Sequence, residues 1–170
     1  MSEAEALMSY WSEVATAKSL VHPDDASLLR RASHRLQAER VPEPWFGNPV
    51  RASIYVLTLN PGHTDGDRGD AEPHRSFFFR MIAGDADYED YAANITKGGW
   101  AWAQRTYGGF LPRCMDVICN LRLVAYPSRE KADLGDLQNR ISDLPSTRRM
   151  LRFVHDDLVP RARARKLLLL

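Results

Sequence analysis

An apolar, β-branched run that stops abruptly at a polar turn is the feature that most limits the folds open to this chain. The segment ASIYVLTL, residues 52–59, carries apolar side chains at successive positions, which is typical of a strand covered on both faces. It leads directly into Asn60, Pro61, Gly62 and His63, a residue order that favours a sharp turn. We therefore predict a buried strand that ends at a polar tip.

Two further apolar runs follow, and helical patterns separate them. CMDVICNLRLVAYPS, residues 114–128, predicts a second strand that is apolar until Asn120, and KLLLL, residues 166–170, predicts a third, buried strand. The Pro-rich segment VPEPWFGNPVRA, residues 41–52, predicts an extended connection without a regular element. Helices are predicted over residues 2–20, 22–40, 74–84, 87–109 and 130–165, the last interrupted at Pro145.

This alternation predicts an α/β fold, a three-layer α/β/α arrangement with a central, mostly parallel sheet preceded by N-terminal helices. We expect a single domain over residues 1–170, with an N-terminal helical segment (1–40) and an α/β core (41–170). Because the chain stops on the third strand, we expect a C-terminal piece of the ancestral domain to be missing. Ligands bind beyond the carboxyl ends of parallel strands, so the tip at Asn60 and the segment from Asn120 to Ser128 should meet at one sheet edge and form a site.

The composition, the N-terminal residues and the length of the apolar runs exclude several classes of protein. The formal net charge is +1, which gives no general reason to expect a polyanion partner, although a balanced total can hide a local basic face. Cys114 and Cys119 are the only cysteines and do not make a disulfide framework. The N-terminus lacks a signal pattern, and no run approaches the roughly 20 apolar residues that span a bilayer. We expect a cytoplasmic protein with no membrane partner; the oligomeric state stays open.

No metal and no cofactor are expected from the sequence motifs. The chain has no Cys/His set at metal-ligand spacing and no glycine motif of the Walker or Rossmann type. Asp65, Asp67 and Asp70 resemble part of a calcium loop, but the full ligand pattern is absent. We predict a solvated acidic loop there.

The two polar tips together resemble the uracil-DNA glycosylase superfamily. Its first motif takes forms such as GQDPYH, GEAPG and, in the mismatch-specific and thymine-DNA branch, GINPG. In TLNPGH, Asn60 falls at the catalytic Asp/Asn position, Pro61 and Gly62 match the proline and glycine, and His63 falls at the histidine of the first form. Asn120 matches an Asn that ends the next strand in patterns like LLLNxxLTV or TNxVKxRPP. The stretch PEPWFGNP also resembles the one before the first motif in bacterial members, and the resemblance covers residues 42–170.

The resemblance implies a DNA base-excision glycosylase, which hydrolyses the N-glycosidic bond of uracil or of a related damaged or mismatched base. Asn60 would position the attacking water, and Asn120 would read the edge of the flipped base with its donor and acceptor. His63 would touch a phosphate or the sugar. The backbone at Pro61 and Gly62 would let the DNA approach closely. DNA is the expected partner.

Three departures from the family pattern bear on this expectation. The loop after the first motif, HTDGDRGDAEP, has no aromatic residue. The candidates for stacking on the base are therefore Phe77, with its neighbours Phe78 and Phe79 later in the chain, and Trp45 or Phe46 earlier in it. The same loop is acidic and would repel phosphates. The family's last motif, an HPS-like segment, lies after the third strand, where this chain stops.

The residues also allow alternatives to the glycosylase interpretation. Asn60 would serve as a turn residue at a strand exit, and Asn120 as an edge polar group that hydrogen-bonds a neighbouring loop. The whole domain would then be a non-catalytic, degenerate or truncated member that binds a nucleobase, a nucleotide or a protein. A further option is a small-molecule hydrolase that uses Asn60 and His63.

Overall fold

The computed structural model describes residues 1–16, 19–62, 72–94, 97–108 and 117–170, and within these ranges seven α-helices and four strands form an α/β fold. In chain order the elements are α1 (Glu3–Thr16), α2 (Ala26–Arg31), β1 (Trp45–Phe46), β2 (Ile54–Thr58), α3 (Glu72–Ala83), α4 (Tyr88–Asn94), α5 (Lys97–Tyr107), β3 (Ile118–Arg122), α6 (Pro145–Phe153), α7 (Val159–Arg163) and β4 (Leu168–Leu169). Two 3₁₀ helices, Lys131–Asn139 and Ile141–Asp143, precede α6, and a π-helical segment, Val154–Leu158, joins α6 to α7.

The strands form one sheet in the order β1-β3-β2-β4. β2 runs parallel to both β3 and β4, whereas β1 is antiparallel to β3. In the central pair, Val56 lies opposite Asn120 and Thr58 lies opposite Arg122. The prediction of an α/β fold with a mostly parallel sheet is confirmed.

Helices from different parts of the chain contact opposite faces of the sheet. Cys119 and Asn120 are neighbours on β3, so their side chains point to opposite faces; Tyr55 pairs with the first and Phe46 with the second. The Tyr55 ring lies 6.1 Å from that of Phe153 in α6. Phe46 contacts aromatic rings of α4 and α5, those of Tyr91, Trp102 and Tyr107. A three-layer α/β/α arrangement requires contacts of this kind, but these contacts alone do not establish it. The three-layer description therefore stays a prediction.

The N-terminal segment is less helical than its sequence pattern predicts. Helix α1 forms as expected and contributes Leu7, Trp11 and Val14 to the hydrophobic core. The helix predicted over 22–40 is wrong beyond α2, because the chain turns extended at Ala32. The following amide groups donate to carbonyls remote in sequence, as from the Arg35 N–H to the Asp133 carbonyl at 2.7 Å. Tertiary hydrogen bonds thus replace helical ones.

Two predictions about the sheet edges are wrong. The segment 41–52 contains a regular element, since β1 pairs with β3; a proline on either side, at 44 and 49, holds this edge strand to two residues. The terminal segment 166–170 does form a strand, but it is not buried. β4 lies at the other edge of the sheet, where Leu168 is 49% exposed and Leu170 is 65% exposed.

The last helical region begins where the sequence suggested a break. Pro145 occupies the first turn of α6, where its missing N–H costs nothing. The region before it is 3₁₀ rather than α-helical. Among the described residues, no helix has both the length and the apolar character needed to cross a bilayer.

Candidate functional site

The polar tip after β2 meets the segment that follows β3. The Asn60 Nδ2 lies 2.6 Å from the Ser128 Oγ and 3.4 Å from the Tyr126 carbonyl oxygen. The Ser128 N–H donates to the Pro61 carbonyl at 3.1 Å, and Gly62 forms a parallel bridge with Ser128. The prediction that the tip at Asn60 meets the segment after β3 is confirmed at Ser128, whereas Asn120 takes no part in this contact.

The side-chain amide of Asn60 has a defined orientation. Its Nδ2 shares two protons among three oxygens, the hydroxyl of Ser128 and the carbonyls of Tyr126 and Pro61. A carbonyl oxygen only accepts hydrogen bonds, so the amide atom facing it must be the nitrogen. The Oδ1 accepts no hydrogen bond from the described residues, and Asn60 is only half-buried. As far as the described residues show, this oxygen can therefore accept a hydrogen bond from water or from a ligand.

The Ser128 hydroxyl is itself held in place. Ser128 is 3% exposed, and its Oγ donates to the Glu130 carbonyl at 3.0 Å. Because the single hydroxyl proton is used there, a lone pair remains for the Asn60 amide. Ser128 thus acts as a fixed acceptor that sets the angle of the amide plane.

A buried hydrogen-bond network supports the tip from behind. The Tyr126 hydroxyl donates to Asp25 Oδ2 at 2.7 Å and accepts from the His22 N–H at 3.1 Å. Asp25 Oδ1 accepts from the Ser146 N–H at 3.0 Å, which ties the start of α6 to the same carboxylate. Burial, followed by the nearby Asp25 charge, raises the pKa of Tyr126. The phenol therefore stays protonated and keeps its hydrogen bond to Asp25. This bond holds in place the residue whose carbonyl faces Asn60.

Asn120 lies away from Asn60. It occupies the middle of β3 rather than its end, opposite Val56. Asn60 comes two residues after Thr58, and Thr58 is opposite Arg122, so the two asparagines are about four residue steps, roughly 13 Å, apart along the strands. The structure does not bring these two predicted site residues together.

The amide of Asn120 is used inside the protein. Asn120 is 1% exposed; its Oδ1 accepts from the Thr58 hydroxyl at 2.8 Å, and its Nδ2 donates to the Tyr107 hydroxyl at 3.3 Å. This arrangement is the one expected of a structural polar group. Reading a base would require the Tyr107 contact to open, and that role stays a prediction.

Sequence reasoning missed Arg122, a buried cation on the Asn120 face of the sheet. Arg122 is 8% exposed, its Nη1 lies 3.4 Å from the Thr58 hydroxyl, and its guanidinium lies 5.0 Å from the centre of the Trp102 ring. Its Nε has no partner among the described residues. Burial lowers the pKa of Arg122, while the charge of Glu43 acts in the opposite direction. The available signal was its position two residues after Asn120, which places it on the same face of a strand.

The remaining candidates occupy different environments. Trp45 is 1% exposed and would have to leave the core to stack on a base. Phe77 is half-buried in α3, with its ring 4.9 Å from that of Tyr91. Gly62 is exposed, whereas His63 and the acidic loop after it, up to residue 71, lie outside the described residues.

In the described ranges, no group of three or more His, Cys, Asp or Glu side chains could hold a metal ion.

Comparisons with known proteins identify no relative. No protein-family model, no curated protein and no solved structure matches the chain. Any assignment of function therefore depends on the geometry of the site.

Proposed function

We propose that this chain is a DNA base-excision glycosylase-like protein that hydrolyses the N-glycosidic bond of uracil or of a related damaged or mismatched base. The observation that carries the proposal is the anchored amide of Asn60, whose nitrogen is held by Ser128 and two carbonyls while its Oδ1 accepts no hydrogen bond from the described residues. It stands at the carboxyl end of β2, the edge of a parallel sheet where ligands bind.

In the proposed reaction, Asn60 orients water and does not remove its proton. The water oxygen bonds to the anomeric carbon as the bond from that carbon to the base nitrogen breaks. The base leaves with the bonding electron pair, and a proton from the water ends on the base or in solvent. An amide only accepts a hydrogen bond from the water, so the reaction should be slower than with an Asp base at this position.

Two further features support a nucleic-acid ligand at this edge. No described atom lies within 4 Å of the point where a Cβ would be at Gly62, so the described residues leave room for a close approach to the backbone there. The buried charge of Arg122 would stabilise negative charge on a departing base.

A non-catalytic binding module is the second candidate, and the state of Asn120 favours it. Thr58 and Tyr107 already form hydrogen bonds with the oxygen and the nitrogen of that amide. The residue expected to read the base therefore has its donor and acceptor in use within the protein. A domain that keeps the cleft but not the chemistry would bind a nucleobase, a nucleotide or a protein without releasing product.

Base release from a panel of oligonucleotides tests the proposal. The panel carries uracil, thymine opposite guanine, or hypoxanthine, in single and double strands, beside the corresponding free nucleosides. Release from at least one oligonucleotide supports the glycosylase. Binding without release from a folded protein moves the assignment to the binding module, and cleavage of free nucleosides alone moves it to a small-molecule hydrolase.

A further inference from the structure

A concave surface that does not include Asn60 lies between the N-terminal helix α1 and helix α6. It is a cleft of about 420 Å³ whose walls come mainly from α1 and α6. Helix α6 contributes Arg148, Arg149 and Arg152 to one wall, and α1 contributes Ser9 and Tyr10 to the other. None of the candidate site residues lines this cleft.

The cleft concentrates positive charge in a chain whose total charge is close to zero. The whole chain has a formal net charge of +1, yet three arginines line this one surface and Glu13 is the one carboxylate among its lining residues. Attraction for an anion is therefore local to this surface.

Two of these arginines lack partners in the described part of the chain. The side chains of Arg149 and Arg152 make no hydrogen bond or ion pair with another described residue, and the side chain of Arg148 makes one long contact, 3.5 Å to the Ser142 carbonyl. Other arginines of the same region are paired with carboxylates, as Arg161 is with Asp157 at 2.8 Å. Like charges three and four residues apart destabilise a helix, so α6 carries a cost that a bound anion would relieve.

The shape and donor groups of the cleft indicate what it would bind. Its volume falls in the range of small-ligand sites, about 300–1,000 Å³. Guanidinium groups match phosphate oxygens in a two-pronged geometry and stay charged at all ordinary pH values. The Tyr10 hydroxyl oxygen is buried, so the arginines supply the charged donors that face the cleft. These are donors for an anion and not for a cation.

The helix that carries the arginines is joined at its start to the segment that follows β3. Helix α6 starts beside the segment after β3, because the Thr147 hydroxyl donates to the Leu123 carbonyl at 2.6 Å and the Ser146 N–H donates to Asp25. The arginines follow within the next two turns of that helix.

We propose that the cleft between α1 and α6 binds phosphate groups, either of a free phosphorylated ligand or of a phosphodiester strand. The arginines at 149 and 152 supply the main contacts. The proposal does not use Asn60 and holds whether or not the chain removes bases.

Binding of two probes to the full chain tests this site. Pyrophosphate is titrated by calorimetry, and a labelled single-stranded oligodeoxynucleotide with undamaged bases is titrated by fluorescence anisotropy at two salt concentrations. The test variant is Arg149→Gln with Arg152→Gln. The matched control is Arg30→Gln with Arg31→Gln in α2, which removes the same charge from another exposed surface.

We expect the α6 pair to lose at least about tenfold in affinity for one or both probes, with a shallower salt dependence for the strand, and the α2 pair to change less than about threefold. Pyrophosphate binding alone identifies a free phosphorylated ligand, and mutual competition identifies one site shared with a strand. Equal loss in both pairs, or no binding of either probe to the parent, overturns the proposal. Ser9→Glu, on the opposite wall, gives the same test if the arginine pair does not fold.

Discussion

Asn60 takes its orientation from the backbone as much as from a side chain. Two of its three nitrogen contacts are main-chain carbonyls, of Pro61 and Tyr126, and only Ser128 contributes a side-chain oxygen. The Pro61 carbonyl is held by the Ser128 N–H, and Tyr126 is held by the hydrogen bonds of its buried hydroxyl, so the Asn60 Oδ1 keeps its direction without a ligand. Such preorganisation is what a water-positioning group needs.

Ser128→Ala should loosen this amide while the tip itself remains. The variant loses the 2.6 Å contact to the Asn60 Nδ2, so we expect base release to fall about tenfold, and the free energy of unfolding to fall by about 1 kcal/mol. Single-turnover release and urea unfolding measure the two effects. Ser142→Ala, at an exposed position, is the control, and an unchanged rate in Ser128→Ala would show that the hydroxyl does not position the amide.

Cys119 makes the free energy of unfolding decrease as the pH rises into the alkaline range. The residue is fully buried in β3, and burial raises the pKa of its thiol above the ordinary value of about 9. Above that pH the unfolded chain releases this proton while the folded chain keeps it, so stability is present below about pH 9 and is lost as the pH rises.

Cys119→Ala should remove this contribution to the pH dependence. Between pH 9 and pH 10 the free energy of unfolding of the parent should fall by about 1 kcal/mol more than that of the variant. Urea unfolding at a series of pH values measures the two slopes. The alanine lowers stability at every pH by leaving a small cavity, so only the difference in slope counts, and parallel curves would refute the assignment.

At the scale of elements, a close approach between backbones determines where β1 can lie. Gly47 follows β1 with a φ of +93°, and a Cβ at this position would lie 2.2 Å from the Ile118 carbonyl oxygen of β3. Only glycine fits this crossing, because both the conformation and the space exclude a side chain. The edge strand beside Asn120 therefore depends on a residue outside the strand.

Gly47→Ala and Gly62→Ala form a matched pair at this scale. We expect Gly47→Ala to lose at least about 2 kcal/mol of unfolding free energy, since backbone strain and a backbone clash combine. Gly62→Ala should stay within about 0.5 kcal/mol, because no described atom lies within 4 Å of the added carbon. Thermal and urea unfolding compare them. A similar loss in both variants would contradict this account of the two turns.

For the whole molecule, the order of elements was predictable from the sequence and the edges of the sheet were not. The apolar runs around Tyr55 and Cys119 are long enough to predict the central strands, and their order predicts that Asn60 and Ser128 meet. β1 was missed because two residues between prolines carry no period that a pattern can show. The exposure of β4 was missed because a run of leucines predicts burial, whether or not another element covers the strand in the fold.

The candidate site was predictable only in part for a similar reason. Asn60 follows a strand directly, so its place at the sheet edge comes from local sequence. The partners of Asn120 come from α5 and from β2, and no local pattern shows that Tyr107 and Thr58 close around it. Arg122 was missed because an arginine in an apolar strand is expected at a solvated end, whereas here Trp102 covers it.

The single-turnover rate of base release by Asn60→Ala, measured on the best substrate of the oligonucleotide panel, tests the central claim most directly. Asn139→Ala, an exposed asparagine in a 3₁₀ helix, is the matched control. If Asn60 positions the water, its loss should lower the rate by about 100-fold or more, while substrate binding and the control variant stay within about threefold of the parent. A rate in Asn60→Ala equal to that of the parent would contradict the claim and leave Asn60 as a turn residue at the end of β2.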